Sequence, residues 1–152
     1  LDSFIASKIE TASYYRDNLK GVGDIEFQLA QDGVEPNEWL FTIVTDSMPR
    51  LLEYLNSNGV MSRPFWIPMN QLPMYSNCVY INHADVSAAV HRAALSLPCS
   101  TSISEGELSQ VVSVIKNFFE LSAVENIERK LKILSTEDLE YQKKLIIESV
   151  KS

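Results

Sequence analysis

Between positions 63 and 75 the chain reads Arg63-Pro64-Phe65-Trp66-Ile67-Pro68-Met69-Asn70-Gln71-Leu72-Pro73-Met74-Tyr75. Its three prolines forbid a helix or a strand ladder throughout, so the segment is an irregular loop. Rigid loops of this composition are a common lining of ligand sites. Arg63 can grip a phosphate bidentately, Trp66 can stack on a ring, and Asn70 and Gln71 can sort hydroxyls by donating and accepting. That chemistry suits an oxygen-rich, anionic ligand. A loop that merely closes a small core, with Arg63 in solvent, fits the same residues equally well.

Other reactive types are poorly placed. His83 and His91 lack the spacing to a Cys, Asp or Glu that a metal site needs. Cys99 with His91 could be written as nucleophile and base, yet nothing positions a third group, and a buried structural thiol is the plainer reading. Gly21-Val22-Gly23 has no third glycine and serves as a helix stop rather than a phosphate loop.

The elements that must position the loop follow from periodicity. Phe4, Ile5, Ile9, Ala12, Tyr15 and Leu19 predict a helix over 1–20, capped by Asp2 or Ser3. Alternation in Ile25–Leu29 and the β-branched run Trp39–Val44 predict two strands joined by a loop. Asp46, Ser47, Pro49 and Gly59 bracket a second helix over 47–58, and Val60–Arg63 could form a short strand. A third helix is expected over 83–95, closed by Pro98. Ser104 and Glu107 form a capping box opening a fourth, whose apolar face runs from Leu108 to Phe119. From 120 to 152, Val124, Ile127, Leu131 and Leu134 precede an interruption at Ser135-Thr136. Leu139, Gln142, Leu145, Ile146 and Val150 follow, which together predict a helical hairpin. The fold class is α+β: a small antiparallel β-sheet with helices packed on one face, plus a C-terminal helical extension. The domain division expected is 1–119 and 120–152.

Composition sets outer bounds. With 152 residues, 45% of them hydrophobic, the chain holds one ordinary core. A net charge of -7 repels nucleic acid. No apolar run reaches the roughly 20 residues of a membrane span, and the two cysteines have no framework spacing, which fits a reducing, cytoplasmic setting. The chain opens on Leu1 already within a helical pattern and reads as a piece of something longer.

Leu1–Ile5, Tyr15–Leu19, Leu52–Val60, the proline-rich loop, Leu95–Ser100 and Ser104–Leu108, in that order, resemble the C-terminal part of the DegT/DnrJ/EryC1/StrS sugar aminotransferases. The likeness covers about 1–119 and leans toward the branch serving nonulosonic, legionaminic-type acid synthesis. It implies a fold-type I enzyme using pyridoxal 5'-phosphate (PLP) to move an amino group, usually from glutamate, onto a keto nucleotide-sugar for cell-surface polysaccharide. It implies a homodimer in which this chain is the small domain, with Arg63, Trp66, Asn70 and Gln71 toward the sugar nucleotide. The family's Schiff-base lysine lies in an upstream large domain. Lys8, Lys20, Lys116, Lys130, Lys132, Lys143, Lys144 and Lys151 match no such segment, so the chain alone is expected to be inactive and to bind no PLP. The alternative is a non-catalytic interaction module acting through the C-terminal helices.

Overall fold

The computed structural model describes residues 1–149, with side chains for 1–132 and Tyr141. Contacts divide the chain into two compact units, Leu1–Phe118 and Phe119–Ser152. The described elements of the first are α1 (Asp2–Leu19), β1 (Glu26–Phe27), β2 (Phe41–Val44), α2 (Met48–Ser57), β3 (Arg63–Pro64), α3 (Val86–Ala93), β4 (Ala94–Leu97) and the opening turns of α4 (Glu105–Ser149). Two short 3-10 turns, Met69–Gln71 and Pro73–Tyr75, shape the loop after β3. This is the α+β arrangement the periodicity predicts, with a four-stranded antiparallel sheet in the order β1-β2-β4-β3.

The sheet turns on β4, which lies between β2 and β3. Its segment reads as the end of a third helix, because Ala93, Ala94 and Leu95 are strong helix formers. The structure corrects this: α3 stops at Ala93 and Ala94 is already extended, at φ -107° and ψ 139°. Pairing on both edges outweighs the propensity, since register sets Ile43 beside Leu95 and Phe41 beside Leu97, all four buried. The start of α3 also moves, to Val86, with Asp85 before it at φ 46° and no side-chain cap. β3 forms at Arg63–Pro64 rather than over 60–63, and Pro64 is tolerated there because β3 is an edge strand.

Helix ends show which local signals hold. α2 stops in a Schellman motif: Val60 N–H donates to the Leu55 carbonyl at 2.9 Å and Gly59 N–H to that of Asn56 at 3.2 Å. Gly59 has φ 76°, which a side chain would strain. The capping box is present in both directions: the Ser104 N–H donates to Glu107 Oε2 at 2.8 Å, and the Glu107 N–H donates to Ser104 Oγ at 3.3 Å. α1, by contrast, begins at Leu1 without a side-chain cap, and Phe4 and Ile9 are exposed, so its buried face starts only at Thr11. The junction of β2 and α2 is held instead by Asp24, which accepts from Thr45 Oγ1 at 2.5 Å and from the Asp46 N–H at 2.8 Å.

In α4 the buried positions Leu108, Val111, Val112, Ile115 and Phe118 recur at three and four, and the Phe118 ring lies 5.5 Å from Tyr54 of α2. The hairpin expected at Ser135-Thr136 is not formed; α4 continues as one helix to Ser149. No glycine or proline occurs between Glu107 and Ser149, and a serine and a threonine cost only about 0.5 kcal/mol each in a helix, too little to reverse the chain. Val150 lies outside the described residues, as do the side chains of Leu134, Leu139, Gln142, Leu145 and Ile146. No described helix is long and apolar enough to cross a membrane.

Two outcomes follow from this packing. Leu95→Ala, at a fully buried position of the central strand, should lower unfolding stability by about 2–5 kcal/mol in a urea titration; a loss under about 1 kcal/mol would mean the strand is not central. Ser104 holds the Glu107 carboxyl below its ordinary value, chiefly through the backbone N–H and then the hydroxyl. The ionised form is therefore favoured by folding. Its contribution is complete above the unfolded carboxylate value of 4.5 and is lost as pH falls through the lowered one. The stability gap between the native chain and Glu107→Gln should accordingly close on acidification, followed by thermal melts from neutral pH downward.

Candidate functional site

Period-two alternation across β2, β4 and β3 puts Phe41, Ile43, Leu95 and Leu97 on the core face. It sets Thr42, Ser96 and Arg63 in one row on the other, where the Thr42 and Ser96 hydroxyls meet at 3.1 Å. Arg63 thus stands on the exposed sheet face at its edge. Among the described residues no carboxylate forms an ion pair with it, whereas Arg16 is paired with Glu38 at 2.7 Å.

The next residue but one is held from both ends. Phe65 N–H donates to the Ala94 carbonyl at 3.0 Å, continuing the β3–β4 ladder. The Phe65 carbonyl lies 2.7 Å from His91 Nδ1, and because a carbonyl only accepts, that nitrogen carries the proton. His91 is therefore the fastener of the loop. Trp66 follows with its ring 5.3 Å from Phe65 and 6.2 Å from Trp39, yet it remains 62% exposed, and Trp39 64%. Two indoles left this open form an apolar platform of the kind that marks binding surfaces.

Trp39 belongs to the site although sequence reasoning placed it at the start of a strand. The strand begins two residues later, at Phe41. α1 supplies the clamps for this segment: the Lys8 ammonium donates to the Trp39 carbonyl at 3.0 Å and to that of Cys99, and Arg16 pairs with Glu38, which sits at φ 50°. The signal available was the basic pair Lys8 and Arg16, eight apart on one helix, but its partners lie far along the chain.

A groove of about 680 Å3 runs beside Arg63, Phe65, Trp66, Met69, Leu72 and Ser96. Asn70 lines a neighbouring cleft of about 330 Å3 with Tyr75, Cys78 and Tyr80, and Met69 borders both. Gln71, exposed in its 3-10 turn, lines neither. The structure thus unites Arg63 with Trp66, sets Asn70 one cleft away and leaves Gln71 outermost. A third cleft, about 490 Å3, contains Arg16 and Phe27, but its guanidinium is already neutralised by Glu38 and lies over the Phe41 ring.

These groups can hold an anion against flat rings; they offer no nucleophile with a base. His91 is committed to the Phe65 carbonyl, while Cys99 is buried with its sulfur against the Trp39 carbonyl and Lys8. Burial, and secondarily Cys99 and Tyr14, raises the Tyr15 phenol well above its ordinary value, so it stays a neutral donor to the Pro98 carbonyl at 2.7 Å. Among the described residues no three His, Cys, Asp or Glu side chains gather as a metal set. None of these three clefts is lined by a lysine.

Known proteins share this fold. GDP-perosamine synthase of Vibrio cholerae is 26% identical over 124 residues, covering 78% of this chain and 34% of its own length. DesV of S. venezuelae, solved with a ketimine intermediate, superposes with a TM-score of 0.72 at 21% identity, over 78% of this chain and 33% of that one. Helicobacter pylori PseC, an aminotransferase of pseudoaminic acid biosynthesis, gives 0.67 at 16% identity, over 76% and 33%. The chain therefore spans about a third of the length of the relatives it matches, and the structural likeness is one of fold. The profile of the DegT/DnrJ/EryC1/StrS aminotransferase family matches residues 1–116, and the chain belongs to that family.

Proposed function

We propose that this chain is the small domain of a PLP-dependent aminotransferase acting on a keto nucleotide-sugar, and that the Arg63–Trp66 groove holds the substrate. The observation that carries the reading is a guanidinium with no ion-pair partner among the described residues, beside two exposed indoles and within the stretch matched by the family. Arg63 binds the diphosphate with charge-assisted hydrogen bonds, Trp66 covers a ring face, and Asn70 and Gln71 reach toward hydroxyls. The cofactor, when bound, supplies the electron sink of amino transfer. Its holding residues lie outside this chain, which by itself neither binds PLP nor turns over substrate. We read glutamate as the amino donor, a cytoplasmic homodimer as the working form, and the nonulosonic, legionaminic-type branch as the route served, toward cell-surface polysaccharide.

A second reading, a non-catalytic interaction module, is favoured by one feature: Leu121, Val124, Ile127 and Leu131 are each more than half exposed along α4. Substitutions in the Arg63–Trp66 groove would then leave function untouched.

In the enzyme containing this domain, Arg63→Ala should weaken sugar-nucleotide binding by about 1–3 kcal/mol in titration calorimetry. Trp66→Ala should follow, then Asn70→Ala, with Gln71→Ala least affected, the order of their distance from the groove. Unchanged affinity and turnover for Arg63→Ala would remove the groove from the substrate site. Separately, PLP with borohydride should leave no pyridoxyl-lysine on this chain alone; a specific lysine adduct with glutamate turnover would place the cofactor here.

A further inference from the structure

We propose that the Phe119–Ser149 stretch of α4 pairs with the same stretch of a second copy, antiparallel, as a two-stranded coiled coil. The inference stands apart from the activity proposed above. Within its own unit this stretch is a single helix, and in water most helical stability comes from packing an apolar face rather than from propensity. Val124, Ile127, Leu131 and Tyr141 are each more than half exposed. With Leu134, Asp138 and Leu145 they fall at alternating intervals of three and four, which is the a and d seam of a heptad repeat.

Charge selects the partner and the direction. The chain carries -7 overall, but residues 119–152 hold seven acidic and six basic side chains, so two copies of this helix meet nearly neutral. A parallel, in-register pair would set Asp138 against Asp138 of the second copy in one seam layer, two carboxylates forced together in a drying interface. An antiparallel pair centred between 132 and 133 avoids this. Leu131 then meets Leu134 of the second copy, Val124 meets Tyr141, and Asp138 lies opposite Ile127, one turn from Lys130. Lys130 and Glu137 occupy the flanking g positions, so in this register each Lys130 faces Glu137 of the second copy, twice by symmetry. Asp138, the one polar seam position between Val124 and Leu145, then disfavours the registers that would bury it against itself.

The test is sedimentation equilibrium of the whole chain at up to about 100 µM. A dimer is expected, with Leu131→Asp giving a monomer whose thermal melting transition is kept. Lys130→Glu should weaken association about tenfold, and adding Glu137→Lys should restore it. A monomer throughout, whether the face is covered by a membrane surface or by its own chain, overturns the proposal. So does a dimer indifferent to Leu131→Asp, since association would then run through another surface. Failure of Glu137→Lys to rescue Lys130→Glu overturns the antiparallel register.

Discussion

The pairing of β4 on both of its edges is the constraint from which the first unit is built. Four residues, Ala94–Leu97, close the ladder to β2 and to β3, and the ladder extends one step further at Phe65. That single strand brings together segments some thirty to fifty positions apart. It hides Leu95 and Leu97 beside Ile43 and Phe41 while turning Ser96, Thr42 and Arg63 to the opposite face. The groove exists because alternation along a strand is strict: a slip of one residue would bury Arg63 and expose Leu95.

Around this strand the loops are held by two hydrogen bonds to backbone carbonyls and one ion pair rather than by burial of their own side chains. His91 fastens Phe65, Lys8 fastens Trp39, and Arg16 fastens Glu38. Fixing the backbone in this way leaves the indoles of Trp39 and Trp66 free to stay exposed, which apolar burial alone would not tolerate. Rigidity without burial is what a surface needs if a ligand is to do the covering, because the ordering entropy has been met before binding.

The same reasoning applies to the two parts of α4. Its opening turns bury Leu108, Val111, Val112, Ile115 and Phe118 inside the first unit, whereas Leu121, Val124, Ile127 and Leu131 continue an apolar spacing and are each more than half exposed. A helix is local and can be propagated by residues without glycine or proline, but what its stripe packs against is never a local property.

Much of the first unit was legible beforehand for that reason. α1, α2 and the start of α4 rest on periodicity, on Gly59 as a helix stop and on the Ser104–Glu107 box, all interactions within a few residues. The irregular course of the loop after Pro64 was legible too, since Pro68 and Pro73 bar a continued ladder or an α-helix there. The chain alone did not determine β4, where Ala94 and Leu95 prefer a helix until two neighbouring strands offer hydrogen bonds, nor the continuity of α4 through Ser135-Thr136, where weak breakers yield to an unbroken ladder. Only tertiary structure decided that Trp39 joins Trp66, that Asn70 faces another cleft, and that Gln71 stands outside both. Those outcomes depend on contacts between residues far apart in the chain, whose loop-closure cost and register no local pattern encodes.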